Sequence, residues 1–213
     1  MIHDGAMDVR YQDVVDPLRA AYDSRAGWRD GLVKEPWKLA ERTAFLGRLR
    51  EEGCGRLLEV GAGTGQDSEF FKEKGLDVIA VDLSPAMVAC CRSKGIEAHV
   101  RDFLKLGFPA KSFDAVYALN CLLHVPNRDL PAVLDAIRTV LRPGGLFFLG
   151  VYGGADSSEG PLDGDQHEPA RFFSWRTDEQ LQQFARPCFD LVDFHVVAVD
   201  GIRFQSLTLR RPR

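Results

Sequence analysis

Residues 56–65 read RLLEVGAGTG, and the fold follows from how that run ends. Arg56 to Val60 has the length and the branched, apolar character of a short buried strand. Gly61, Gly63 and Gly65 then leave alternate positions without a side chain, so nothing obstructs close approach to the backbone. A helix is expected to start at about Gly65 to Gln66. Strand, glycine turn and helix together should leave unpaired amides and a helix N-terminus at the strand end, where a ligand with or without phosphate can lie.

A dinucleotide fingerprint needs its third glycine at residue 66, where Gln66 stands. The pattern is instead E-V-G-A-G-T-G, Glu59 to Gly65, and it resembles the first motif of the class I S-adenosylmethionine-dependent methyltransferases. The resemblance implies that Gly61, Ala62, Gly63, Thr64 and Gly65 cradle the methionine portion of that cofactor, with Glu59 reaching its ammonium directly or through water.

The next strand, Asp77 to Val81, ends in Asp82. At the end of a second parallel strand beside a glycine turn, a carboxylate can accept hydrogen bonds from both hydroxyls of a ribose. Such charged hydrogen bonds contribute about 1.5–3 kcal/mol. The competing role for Asp82 is a helix cap, which Ser84 followed by Pro85 already supplies. VDLSPAMV, residues 81–88, resembles the second motif of the same family, which implies that Leu83 and Met87 lie against adenine. Met87 equally suits a core position. A third strand, Ile96 to Val100, leads to Asp102 and Phe103, to which the resemblance assigns the adenine amine and the base. An aspartate in such a loop is also a common turn residue.

Ser112 to Leu119 reads as the fourth strand and runs into NCLLHVP, residues 120–126. In an open parallel sheet the crevice lies beside the first strand, where strand order reverses, so strands one and four form its walls. Asn120, Cys121 and His124 therefore fall near a reactive methyl. An amphipathic helix over Asp129 to Leu141, a Pro-Gly-Gly turn within residues 142–145 and a fifth strand, Leu146 to Tyr152, complete the pattern. The stretch 153–168 has no periodicity and is expected to be a loop over the substrate, followed by the aromatic run RFFSW, 171–175. Thr177 with Gln180 marks a capping box, and two last strands, about Phe189 to Val199 and Ile202 to Leu209, are expected to form a hairpin turning at Asp200 and Gly201.

Ahead of all this, residues 1–20 read as loosely held, with two short helical segments after them. In the resembled family a helical N-terminal extension with a Tyr-Asp pair covers the cofactor; Tyr22 and Asp23 match it, although Tyr22 and Trp37 also suit plain packing of helices on a sheet. The expected architecture is a Rossmann-like, doubly wound, seven-stranded, mostly parallel α/β sheet with an antiparallel C-terminal hairpin. Residues 1–55 form its helical cap and 56–213 its S-adenosylmethionine-binding domain.

With 213 residues the chain is long enough for one such domain. A net charge of −4 and a pI near 5.8 argue against nucleic acid and anionic membranes as partners. Five scattered cysteines suggest neither a disulfide framework nor a zinc site, which fits a reducing cytoplasm. Neither a signal-peptide pattern nor a long apolar run stands out, so no membrane role is expected.

The implied function is methyl transfer from S-adenosylmethionine, leaving S-adenosylhomocysteine, to a small molecule through an O, N or C nucleophile, by a monomer or homodimer. A base is required only for a protonated acceptor; His124, then His167, are the candidates. Asp163 and Asp165 beside His167 read as solvated turn residues, so no metal is expected. An NAD-dependent oxidoreductase and a regulatory protein that binds the cofactor without transfer are the alternatives.

Overall fold

The computed structural model describes residues 9–199 and 201–213. Its centre is a seven-stranded sheet in the order β3-β2-β1-β4-β5-β9-β8. The strands are β1 (Arg56–Val60), β2 (Asp77–Asp82), β3 (Glu97–Val100), β4 (Phe113–Leu119), β5 (Leu141–Tyr152), β8 (Asp190–Val199) and β9 (Ile202–Arg210). The first five run parallel, while β9 is antiparallel to both β5 and β8. Strand order reverses between β1 and β4, the position expected for a crevice.

Alternation along the central strands sorts the core into two layers. Leu57, Tyr117 and Phe148 face α3 (Pro36–Glu51) through Phe45, Leu46 and Leu49, and they meet Phe71 of α4 (Gln66–Glu73). Their neighbours Leu58, Val116 and Phe147 face the opposite way, onto Val133, Leu134 and Ile137 of α6 (Leu130–Val140) and Leu181 of α7 (Asp178–Ala185). α5 (Pro85–Ser93) covers β2 and β3 by placing Val88 and Cys91 on Ala80 and Ala98. The capping box of α7 forms as expected: the Thr177 amide donates to Gln180 Oε1 at 3.0 Å and the Gln180 amide to Thr177 Oγ1 at 3.2 Å.

Three expectations need correction. Residues 11–20 are not loosely held but form the body of α1 (Tyr11–Asp23), which buries Tyr11, Val14, Leu18 and Ala21 at helical spacing; α2 (Ala26–Asp30) follows. The start of β5 precedes Pro143, because Leu141 pairs with Phe113 and Leu146 with Ala115, so residues 142–145 bulge out between two paired positions of one strand. The stretch after β5 is not all loop: β6 (Ser158–Pro161) pairs antiparallel with β7 (Phe172–Trp175) as a separate hairpin. The earlier reading of residues 1–8, and of Asp200 in the last turn, falls outside the described residues.

Arg176 anchors that hairpin to the turn that follows β4. Its side chain is only 1% exposed, and no acid forms an ion pair with it among the described residues. It donates instead to Asn127 Oδ1 at 2.7 Å, to the Leu122 carbonyl at 3.3 Å and to the Val125 carbonyl. Burial pushes the guanidinium down to about 10, with Glu159 opposing. Arg176→Ala should lower unfolding free energy in urea by about 2–4 kcal/mol, because it strands buried acceptors. Arg176→Lys should recover only part, since one ammonium lacks the guanidinium's fork of donors.

Candidate functional site

The end of β1 and the end of β4 touch. A methyl built on Gly61, at φ +69, would stand 2.3 Å from Cys121 Cβ, so only glycine lets the turn after β4 pack there. Gly65 meets a second limit, because a methyl on it would lie 2.9 Å from Cys91 Sγ and 3.2 Å from Cys91 Cα on α5. Gly63, at φ +55, is the open one: a methyl there meets no protein atom within 4 Å, and the residue lies on a cavity wall.

Four of the loop amides are not the free donors expected. Gly61 and Ala62 donate to the Val81 carbonyl at 2.8 and 3.1 Å, Gly63 to Asp82 Oδ2 at 2.8 Å, and Gly65 to the Ala62 carbonyl at 3.0 Å. The left-handed coil of the loop folds those four donors back on the protein.

That cavity has a volume of about 520 Å³, within the range of small-molecule sites. On its wall stand Tyr22, Glu59, Gly61, Ala62, Gly63, Thr64, Asp82, Leu83, Phe103, Asn120, Cys121 and His124, all singled out by sequence. Gly65, Met87, Asp102 and His167 are not among its lining residues. Met87 is 1% exposed in the core, and Asp102 Oδ1 accepts from the Leu104 and Lys105 amides at 2.8 and 3.0 Å. His167 meets the Tyr22 ring edge-on at 5.8 Å, with its Nε2 buried and unpartnered.

Two buried acids stand on the cavity wall. Asp82 is 8% exposed; its Oδ1 accepts from the Ser84 amide at 2.9 Å while Oδ2 holds Gly63. Burial raises its carboxyl to about 6 against the pull of those two amides. Glu59, 3% exposed, accepts from Ser68 Oγ, and burial followed by the nearby charge of Asp67 raises it to about 8. Asp67 is itself held by Lys34 and by Arg42 at 2.9 Å. Asn120 closes the β4 side at φ +53, its amide 2.7 Å from the Gly150 carbonyl and its Oδ1 buried without a partner.

The rest of the wall was not legible in the motifs. Tyr152, Leu162, Phe173 and Trp175 belong to it, together with Arg29, Lys38 and Arg171. Only RFFSW hinted at part of it, and the pairing of β7 with β6 is what turns that run toward the cavity. The N-terminal helices close the roof. Asp23 Oδ1 accepts from the Ala86 amide at 3.0 Å and from Ser84 Oγ, and Gln66 Nε2 donates to the Leu32 carbonyl at 2.9 Å.

His124 is held on both sides. Its Nδ1 lies 2.7 Å from the Phe172 carbonyl and its Nε2 2.7 Å from Tyr22 Oη. Burial pushes the imidazole down to about 3; the Phe172 carbonyl opposes this and Arg171 and Arg29 add to it. The ring is neutral at ordinary pH. Asp165 is held low, despite burial, by the hydrogen bonds and charge of Arg171, and it also pairs with His167 at 3.1 Å.

Glu59 makes stability depend on pH. Its proton is bound more tightly in the fold than in the unfolded chain, so its stabilising contribution is complete below about 4.5 and disappears as pH rises through about 8. Between about pH 6.5 and 8.5 the melting temperature of the ligand-free protein should fall, and Glu59→Gln should flatten that slope in a calorimetric series.

Residues 57–145 match the family model described as a methyltransferase domain. A ubiquinone biosynthesis O-methyltransferase of Xanthomonas axonopodis pv. citri is 34% identical over 115 residues, 51% of this chain and 47% of that protein. A sterol 24-C-methyltransferase of Gibberella zeae is 36% identical over 106 residues, 46% of this chain and 27% of that protein. The chain thus spans about half the length, or less, of the curated relatives it matches. The Burkholderia thailandensis 1,6-didemethyltoxoflavin-N1-methyltransferase, solved with 1,6-didemethyltoxoflavin and S-adenosylhomocysteine, shares the fold. Its TM-score is 0.77 at 23% identity, covering 96% of this chain and 92% of that one.

Proposed function

We propose that this chain, which carries a class I methyltransferase domain, transfers a methyl group from S-adenosylmethionine to a small-molecule acceptor. The observation that carries the reading is the cavity itself, whose wall combines two buried acids and a glycine loop with aromatic and cationic side chains. No metal is assigned a part in it.

The residues present fit the cofactor. Asp82 has lone pairs beyond those used by the Gly63 and Ser84 amides, and these suit the ribose hydroxyls. Glu59 suits the ammonium, which would draw its raised carboxyl back to the charged form. Gly63 gives the methionine chain room that any side chain would fill. Leu83 and Phe103 offer apolar surface to the adenine, and Asp102, held by its own turn, is less available to it. The orphaned Asn120 Oδ1 marks a further polar position at the β4 end.

When bound, S-adenosylmethionine supplies an electrophilic sulfonium methyl, and the chain's task is then alignment. Holding the reacting groups in line can account for about 7–11 kcal/mol of barrier. Tyr152, Phe173 and Trp175 would orient the acceptor, and the hairpin β6–β7 with helices α1 to α3 would exclude water. Residues 1–55 serve in this reading as a cap on the domain 56–213. Among the described residues, no helix is long and apolar enough to cross a membrane. The free cysteines suit a reducing cytoplasm, and the acidic balance suits a small acceptor better than nucleic acid.

Thermal unfolding with S-adenosylmethionine, S-adenosylhomocysteine or NAD(H) tests this. An adenosyl ligand at 100 times its dissociation constant should add about 2.7 kcal/mol, a rise of roughly 5–11 °C. Asp82→Ala should lose most of that rise. A shift with NAD(H) alone would move the assignment to an oxidoreductase, and binding of the adenosyl ligands without transfer to any acceptor would favour a regulatory protein.

A further inference from the structure

One polar chain joins α1, the turn after β4 and the lid hairpin. At its outer end Asp165 accepts from the Arg171 amide at 2.8 Å, from Arg171 Nε at 3.0 Å and from Arg171 Nη2 at 2.9 Å. Arg171 Nη1 donates to Tyr22 Oη at 3.2 Å, and Tyr22 Oη lies 2.7 Å from His124 Nε2. The carbonyl of Phe172, 2.7 Å from His124 Nδ1, can only accept.

That acceptor settles the direction of the whole chain. Nδ1 carries the imidazole hydrogen, Nε2 presents its lone pair, and Tyr22 donates to it. With one lone pair taken by Arg171, the phenol oxygen keeps a second, and Tyr22, His124 and Arg171 all line the cavity. Both ring nitrogens of His124 are engaged, so an acceptor reaches it only through Tyr22. His167 is not on the cavity wall.

We propose that Tyr22 is a catalytic residue: its phenol oxygen takes the proton of a hydroxyl acceptor while its own proton passes to His124 Nε2. This inference rests on the methyl-transfer reading above. As the acceptor oxygen bonds to the methyl carbon, the electron pair of the broken C–S bond stays on sulfur. The O–H proton moves to Tyr22 Oη, the Tyr22 proton moves to His124, and water removes it after product release. One positive charge leaves sulfur and one appears on the imidazole, so the net charge of the cavity is unchanged.

The surrounding groups suit that exchange. Arg171 and Arg29, the latter 5.2 Å over the Tyr22 ring, favour phenolate character as the proton crosses. They disfavour an imidazolium, as a sulfonium would too, whereas Asp165 favours it. Burial and the two guanidiniums keep the imidazole neutral in the resting site, and loss of the charge on sulfur removes one further obstacle to its taking the proton.

The test needs no known acceptor. Full-length protein with 15N-labelled histidine is examined by NMR at pH 7 with S-adenosylmethionine or S-adenosylhomocysteine bound, occupancy being established by calorimetry and the signal assigned with His124→Asn. His124 should show a protonated Nδ1 and an unprotonated Nε2. With the ring neutral in both complexes, the Nε2 signal should move further from the unbonded-lone-pair value when the neutral sulfide replaces the sulfonium, because the hydrogen bond from Tyr22 strengthens, and Tyr22→Phe should shift that signal to an unbonded lone pair and shrink the ligand response. An Nε2 signal identical with both ligands, or a hydrogen on Nε2, overturns the proposal; if Tyr22→Phe does not fold, the two-ligand comparison on wild type decides alone. Calorimetry that detects neither ligand defeats the methyltransferase reading first, and this inference with it.

Discussion

The contact between Gly61 and Cys121 is the constraint on which the site depends. Parallel pairing brings the ends of β1 and β4 side by side, and the chain must then leave both strands without closing the gap between them. It does so by removing the side chain on one strand and tucking a small one in from the other. Cys121 Sγ donates to the Val60 carbonyl at 3.1 Å, and burial pushes the thiol well up, so it acts as a neutral wedge. Asn120 takes a left-handed conformation beside it, so the turn carries Leu122, Leu123 and His124 around the crevice rim.

From that contact the charges follow. Residues pointing into a gap between two packed strands are screened poorly by water, so Glu59 and Asp82 both hold their protons above the usual carboxylate range. Asp67, in the first turn of α4, stays paired with Lys34 and Arg42, and through them ties the N-terminal segment to the glycine loop. Asp23 ties the same cap to the start of α5, two residues past Asp82. The N-terminal helices and the crevice are therefore one mechanical unit, and the lid joins it through Arg171 and Tyr22.

The parts of the fold that were legible are those in which a local rule and the tertiary arrangement agree. The order of β1 to β5, the terminal hairpin and the Thr177 capping box follow from periodicity, turn residues and spacing. The first part of α1 was missed because Asp13, Asp16 and Pro17, all on its exposed face, read as loop and outweighed the spacing of Tyr11, Val14 and Leu18. β6 was missed for a different reason: Ser158–Pro161 has no alternation, and it is a strand only because β7, eleven or more residues on, pairs with it. The wall residues that came from motifs, Glu59, Gly63 and Asp82, lie within a few residues of a strand end. Arg29, Lys38, Tyr152 and Trp175 reach the same cavity from distant elements, and no short pattern encodes that convergence. Asp102 shows the limit of strand-end reasoning: Asp82 ends β2 and pairs with Val100, whereas Asp102 lies two residues past the end of β3 and its side chain closes its own turn.

The most direct measurement is a crystal structure of the protein with S-adenosylhomocysteine. The account predicts both ribose hydroxyls on Asp82, the ammonium at Glu59, the methionine chain across Gly63, and the sulfur facing the side of the cavity where Tyr22 Oη meets His124. A ligand bound away from Asp82 and Glu59, or with its sulfur turned away from Tyr22, would contradict it.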